Sequence, residues 1–458
     1  MWDIAAHDDP LQRSLAALQR YASAPAPDEV FLDDMQQRID AAQRARLRAP
    51  SADAPRKTAN GALRILLLGY SGAGNTGADL RTIETIAQLQ RLFASRAPQI
   101  TLLAIGDCFD HPLLAAMPKL APELPYLPDA LDAAIREADL VLNVEGSTYT
   151  SKFSDSLAGV LIGGVALAAA HGRPAIAYGV DSGAMSGALT GFVARNAARG
   201  QIICRNEAAR AQLAPLGVQT LAGADTAWTY RAPHGARAAT RGARVAALCP
   251  NNPFWWPVAA DAQRAHLLDA RRETSPFRYG PLHFHTWDAT RAAAYDAYLT
   301  RFAAIAAGLR EQGYTPVLVG MEQLDRAACE DLAARLPFAA EIVARGAAQL
   351  DEVAAAVAQA SCVVTTRYHA AVLAMSHGVP VFGLSMDTRI DRLLDEAGCR
   401  AWSAACDAVD GAQSALAKLG TLETPQVRAE LVACYARYAE AQRARFDEMG
   451  SQVLAALG

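Results

Sequence analysis

The sequence predicts two doubly wound, Rossmann-like α/β domains facing each other across a cleft, preceded by a helical extension. Three observations carry this. From Leu63 onward, uninterrupted apolar runs alternate with amphipathic stretches, as in a parallel sheet covered on both faces. The alternation runs twice, broken at "APHGARAATRGA" (232–243). Polar residues also recur just after the apolar runs, where such sheets bind ligands.

Residues 1–60 are read as a helical extension and linker. "LQRSLAALQRY" and "DDMQQRIDAAQRARLRA" each carry a narrow apolar stripe, and "APSADAPRKTANG" has linker composition. Residues 61–232 form the first domain. It opens with the strand "LRILLLGY" and the helix "ADLRTIETIAQLQRLFASR", and continues through "QITLLAIGD", "ALDAAIREADLVLNVEG", "RPAIAYGVD", "GQIICRNEAARAQLAPLG" and "VQTLAGADTAWTY". Residues 243–405 form the second domain, with "RVAALCP", an irregular aromatic and polar insertion from Asn251 to Asp288, "YTPVLVGM", "ASCVVTT" and "PVFGLS". Residues 406–458 are read as C-terminal helices.

Net charge is −4, which gives no broad basic face for nucleic acid. The nine histidines and eight cysteines form no CxxC, HxxxH or HExxH spacing, so no metal site is indicated. The scattered cysteines read as small buried hydrophobes in a reducing compartment. The N-terminus "MWDIAAHDDP" begins acidic and lacks an apolar core, unlike a secretory signal. The longest apolar run, Leu157–Ala170, is short for a bilayer about 30 Å thick and rich in Gly and Ala. It reads as a buried helix. The expected location is the cytoplasm, without a transmembrane segment.

The candidate sites follow strand ends. In "GYSGAGNTGADLR" (Gly69–Arg81), Gly72, Gly74 and Gly77 satisfy G-x-G-x-x-G before a helix. Glycines there let backbone approach an anion at a helix N-terminus, so Gly72, Gly74, Asn75, Gly77 and Asp79 are donor-binding candidates. A dinucleotide site also wants an acidic residue about 20 positions on. Asp107 lies later than that, which disfavours NAD. A plain glycine turn is the structural alternative.

In "NVEGSTYTSKFS" (Asn143–Ser154), Glu145 follows an apolar strand, a costly place for a carboxylate without a partner. Ser147, Thr148 and Lys152 can contact a carboxylate, phosphate or sugar, and helix capping by Ser147 or Ser151 is the alternative. Asp181 in "YGVDSGAM", Arg205 and Glu207 in "CRNEAAR", and Asp225 in "GADTAW" are weak singly but repeat at one sheet's carboxyl ends. "PNNPFWWP" with "HFHTW" puts Trp255, Trp256, His283 and His285 in one aromatic insertion. Neighbouring residues of a strand face opposite sides, so both tryptophans cannot be core in a regular strand. These four, with Glu322 in "VGMEQLDR", are acceptor-binding candidates; a self-packing insertion and an ordinary acidic helix start are the alternatives. Finally, "TTRYHAAVLAMSHGVPVFGLS" (Thr365–Ser385) places Arg367 and His369 where a buried strand gives way to a helix. A guanidinium can fork onto a carboxylate or phosphate, and an imidazole can carry a proton near neutral pH.

These motifs, in this order, resemble the polysaccharide pyruvyl transferase family from Leu63 to Gly398, most specifically in the S/T-R-x-H start and G-x-P-V-x-G-L-S end of the last stretch. The resemblance implies a fold like the two-domain GT-B glycosyltransferases. It also implies transfer of a pyruvyl group from phosphoenolpyruvate to a sugar or glycan hydroxyl pair, with no cofactor beyond that donor. Arg367 would hold the donor's phosphate or carboxylate and His369 would transfer the proton; Ser147 and Arg205 are donor-binding candidates by their place after strand ends. "VEGS" stands where the family has a "GGGS"-like turn, so Glu145 enters as a candidate catalytic base. A GT-B glycosyltransferase using a nucleotide sugar and a non-catalytic binding protein on the same fold are the alternatives. The expected partners are a small-molecule donor and a sugar or glycan acceptor, with homo-oligomers open.

Overall fold

The computed structural model describes residues 16–17, 19–21, 23–48, 61–120, 128–233, 244–258, 260–273, 278–279, 282–284 and 287–457. Seven parallel strands make the first sheet: Arg64–Ala73 (β1), Gln99–Cys108 (β2), Lys119–Leu120 (β3), Leu140–Asn143 (β4), Ala175–Val180 (β5), Gln201–Cys204 (β6) and Thr220–Ala222 (β7). Their spatial order is β3-β2-β1-β4-β5-β6-β7. The chain therefore reverses direction across the sheet between β1 and β4, where a crevice opens at the carboxyl ends. Helices cover both faces, which is why β4 and β5 are buried at every position.

The second sheet is also parallel and six-stranded, in the order β13-β12-β8-β14-β15-β16. Its strands are Val245–Cys249 (β8), Thr315–Gly320 (β12), Glu341–Ala344 (β13), Cys362–Thr365 (β14), Val381–Ser385 (β15) and Ser403–Ala405 (β16). Both sheets belong to α/β domains, as the alternating pattern predicts.

The aromatic insertion is more ordered than expected. It holds the helix Ala262–Arg271 and a three-stranded antiparallel sheet, β10-β11-β9, built from Ala260–Asp261 (β9), Arg278–Tyr279 (β10) and Leu282–Phe284 (β11). The first glycine-rich stretch also differs from a simple strand–loop–helix. β1 runs on to Ala73, with irregular register against β2 around Ser71, and Gly72 (φ +82°) and Gly74 (φ +63°) take left-handed backbone.

Two helices outside the sheets pack on their own chain. The helix Pro27–Arg48 lies on Asp155–Ala170, with Phe31 and Leu32 against Gly159 and Met35 against Gly163. Those glycines, one turn apart, let the two helices approach closely. The stretch "LQRSLAALQRY" falls largely outside the described residues. The helix Pro425–Leu457 crosses between the domains. Its Phe446 carbonyl accepts from Gln88 Nε2 (2.7 Å), its Tyr435 hydroxyl accepts from Val381 N (3.3 Å), and Arg443 donates to Trp228 O (3.1 Å) and Ser376 O (3.3 Å). All eight cysteines are free thiols, six of them buried. Among the described residues no helix is long and apolar enough to cross a membrane.

The two sheets meet through backbone. Thr76 N donates to Met321 O (2.8 Å) and Gln323 N to Gly74 O (3.1 Å), forming an antiparallel bridge between the domains. Beside it, Arg345 of the second domain, fully buried, reaches Asp79 (2.8 Å) and Asp110 (3.0 Å) of the first. Removing one partner of a buried pair leaves an uncompensated charge, at a cost of about 3–5 kcal/mol. Arg345→Met is therefore expected to lower stability by about that amount. Urea unfolding monitored by tryptophan fluorescence checks it; a change under about 1 kcal/mol would contradict the junction's role.

Candidate functional site

The site is assembled where both sheets present their carboxyl ends. Asp225 follows β7 and caps the short helix Thr226–Thr229, its Oδ1 accepting from Ala227 N at 3.0 Å. Its other oxygen, Oδ2, faces three cationic or potentially cationic groups. Arg205 Nη1 donates to it at 2.9 Å, while Arg81 Nη1 at 2.7 Å and His369 Nε2 at 3.3 Å lie within ion-pair distance without an aligned hydrogen bond. Arg81 sits on the helix Thr76–Leu92, one turn beyond Gly77. Its Nε donates to Val144 O and its Nη2 to Tyr178 O and Gly179 O, all at 3.0 Å, which ties together the ends of β4 and β5. Arg205 follows β6, pairs with Asp181 after β5, and lies 4.1 Å from the centre of the Tyr368 ring of the second domain. Arg392 of the second domain donates to Ser182 O at 3.0 Å.

The electrostatics follow from burial and pairing. Burial opposes the Asp225 charge, but Arg81, His369 and Arg205 together hold its carboxyl well below the usual range. Burial lowers the His369 pKa below its ordinary 6.5, and Asp225 only partly opposes this. The shift favours the uncharged imidazole, which has Nε2 toward Asp225 and Nδ1 against Gly77. A Cβ added at Gly77 would stand 2.0 Å from His369 Nδ1, so only glycine leaves room for the ring.

Several sequence candidates land here with parts different from those expected. Gly77 is the seat of His369. The rest of the first glycine-rich stretch is not an open anion cradle. Gly72 would meet the Gly106 carbonyl and Gly74 the Gln323 side chain, Asn75 caps the helix through Ala78 N (3.1 Å), and Asp79 is buried on Arg345. Of the N–H groups at this helix start, Thr76 N is taken by Met321 O of the second domain and Ala78 N by the Asn75 cap. Arg205 is buried at the base of the site, committed to Asp181 and Asp225, and presents no guanidinium face to a donor.

Arg367 is likewise committed. Its Nε donates to Asp325 Oδ2 at 2.9 Å, and its Nη2 pairs with Glu322 at 2.7 Å and with Asp325. Burial works against its charge, and these two carboxylates more than compensate. Glu322, buried in that pair, is a counterion and not an acceptor contact. Two carboxylates around one guanidinium leave no positive surplus for an anionic donor. Arg367 instead anchors the start of the helix Tyr368–Ser376, which carries His369.

Glu145 bends back on its own loop, accepting from Ser147 N at 3.0 Å. Gly146, next to it, is packed against Arg205 and Arg81. The Ser147 hydroxyl accepts from Arg389 Nη1 of the second domain at 3.0 Å. In the insertion, Trp256 packs edge-on against Phe153 (5.1 Å between centroids), whereas Trp255 lies against Trp287 (6.0 Å). Thus Trp256 reaches the cleft and Trp255 packs within its own domain. His285 lies outside the described residues, and of His283 only its backbone place in β11 is described.

Arg81 and the central part of Asp225 were not legible in the sequence. The available signal was Arg81's position one turn after Gly77, on the same helix face.

The geometry agrees with what the chain is similar to. Residues 255–388 match the family model of polysaccharide pyruvyl transferase, so the family resemblance is shown over the segment that carries Arg367 and His369. No curated protein sequence matches the chain. Among solved structures, Anabaena HepE in complex with UDP-glucose superposes with a TM-score of 0.51 at 15% identity, covering 86% of this chain and 99% of that one. A putative UDP-N-acetylglucosamine 2-epimerase from Listeria monocytogenes gives 0.53 at 10%, covering 84% and 97%. At such identities the likeness concerns fold: the chain has the two-domain architecture of GT-B-type glycosyltransferases and epimerases.

If Gly77 makes room for the imidazole, Gly77→Ala displaces it by about the distance that costs a hundredfold in rate. The expected result is turnover down about 100-fold with the far-ultraviolet circular dichroism spectrum unchanged. Activity within a factor of about three would contradict the assignment.

Proposed function

We propose that this protein transfers a pyruvyl group from phosphoenolpyruvate onto a pair of hydroxyls on a sugar or glycan. The observation that carries the reading is His369, in the segment that matches the family, with its Nε2 3.3 Å from the buried Asp225 carboxylate where two sheet ends meet.

The chemistry balances with these groups. A sugar hydroxyl attacks the central carbon of phosphoenolpyruvate while the donor's methylene carbon gains a proton. His369, neutral at the start, accepts the hydroxyl proton at Nδ1, the nitrogen not turned to Asp225, and the imidazolium so formed is the donor to the methylene carbon. Asp225 stabilises that imidazolium, as a buried carboxylate does for a base it orients. The second hydroxyl then attacks the same carbon, the bond to the phosphate oxygen breaks, and phosphate leaves with the second proton. No oxidation state changes, so the step calls for no redox cofactor. Arg81 and Arg205 hold Asp225 in place, and Arg367 holds the helix that presents His369. These three are positioning residues. Glu145, turned onto its own loop, is not needed as the base.

A nucleotide-sugar glycosyltransferase is the second reading, favoured by the HepE neighbour having UDP-glucose bound. Calorimetric titration with phosphoenolpyruvate and with UDP-glucose separates the two. The proposal predicts binding of phosphoenolpyruvate. It also predicts acceptor-dependent phosphate release that falls by about 10²–10⁴ in His369→Ala. Binding of UDP-glucose without phosphoenolpyruvate would move the assignment to glycosyl transfer.

A further inference from the structure

Lys152 is the cation that the site described above does not use. It lies in the loop after β4, half-buried, and among the described residues its ammonium makes no hydrogen bond or ion pair. Burial lowers its pKa, the mark of an ammonium losing water without gaining an acceptor. The Asp387 carboxylate offsets this only in part. Both oxygens of Asp387 are taken by Arg389, Oδ1 by the backbone N (3.0 Å) and Nε (2.9 Å), Oδ2 by Nη2 (2.7 Å). Arg389 in turn extends Nη1 to Ser147, whose oxygen accepts that bond and whose own proton has no acceptor among the described residues.

Aromatic and backbone contacts close one side of this group. Phe153, next in the chain, stands edge-on to Trp256 and has the Arg389 guanidinium 5.5 Å from its ring centre. Val258 N donates to Phe153 O at 3.2 Å, so the insertion of the second domain is fastened across the cleft at this point. Arg291 supports the insertion from behind through Phe254 O (3.2 Å) and Trp255 O (3.3 Å). The group is thus one loop away from the His369 cluster, because Gly146 touches Arg81 and Arg205 while Ser147 touches Arg389.

A desolvated ammonium and a hydroxyl with a free proton stand beside an Arg389–Asp387 ion pair, so the group keeps one positive charge in surplus. We infer that Lys152, Ser147 and Arg389 form an anion subsite, built from both domains, that takes a phosphate group of a substrate. A phosphate matches this set because several oxygens can meet an ammonium, a hydroxyl and a guanidinium together. The phosphate can belong to the donor or to a phosphorylated sugar acceptor resting against Trp256. The inference concerns the binding group and stands apart from whether His369 transfers a pyruvyl unit.

Inorganic pyrophosphate is the probe, titrated calorimetrically into the full-length chain. The expected result is binding by the wild type that weakens about tenfold or more in Lys152→Met and is largely kept in Lys152→Arg, which retains the charge. His369→Ala is expected to bind pyrophosphate like the wild type even if it abolishes turnover. Competition with saturating phosphoenolpyruvate then assigns the phosphate to the donor, and binding undisturbed by phosphoenolpyruvate assigns it to the acceptor. Either outcome supports the subsite. No pyrophosphate binding by the wild type, or equal binding by Lys152→Met with an unchanged melting temperature, would overturn it.

Discussion

One carboxylate oxygen organises the interior of this molecule. Asp225 Oδ2 is approached by two guanidiniums and an imidazole, each from a different part of the chain, and is shielded from water by all of them. Buried charge on this scale is tolerated only when every partner is present, since the loss of one strands the others. The arrangement therefore fixes more than its own atoms. Through Arg81 it sets the ends of β4 and β5, through Arg205 it sets Asp181 and the ring of Tyr368, and through His369 it ties the first domain to the second. The His369 pKa is lowered as a consequence: the ring is desolvated, and the Arg205 and Arg81 charges work against the support that Asp225 gives its proton.

The closed relation of the domains rests on different chemistry nearby. A two-bond backbone bridge, the buried Arg345 with its two aspartates, and the long C-terminal helix crossing both domains all draw the same two surfaces together. Gly74 O and Thr76 N of the glycine-rich stretch are engaged in this contact. The part of the cleft around His369 is held by buried ion pairs.

Much of the fold was legible because buried parallel strands need unbroken apolar runs, and β1, β4, β5, β8, β14 and β15 all show them. Two short edge strands, β13 and β16, were not legible, since each is partly solvated and carries no continuous apolar signal. His369 could be placed at a strand–helix junction by its local pattern. Its partner could not, because Asp225 lies 144 positions earlier and no spacing rule links the two. The same reason explains Arg367. As a lone guanidinium at a cleft-facing strand end it reads as a ligand contact, and only the fold brings Asp325, 42 residues away, onto its fork. Glycines were legible as necessary but not as to why: Gly77 serves a side chain of the other domain rather than an anion.

The measurement that most directly tests this account is a nuclear magnetic resonance titration of His369 in the intact, histidine-labelled chain, its signal assigned by loss in His369→Ala. The account predicts a pKa below the ordinary 6.5, with the ring neutral at pH 7. A value above 6.5 would contradict it, because the imidazole would then be held charged by Asp225 and could not begin the reaction as a base.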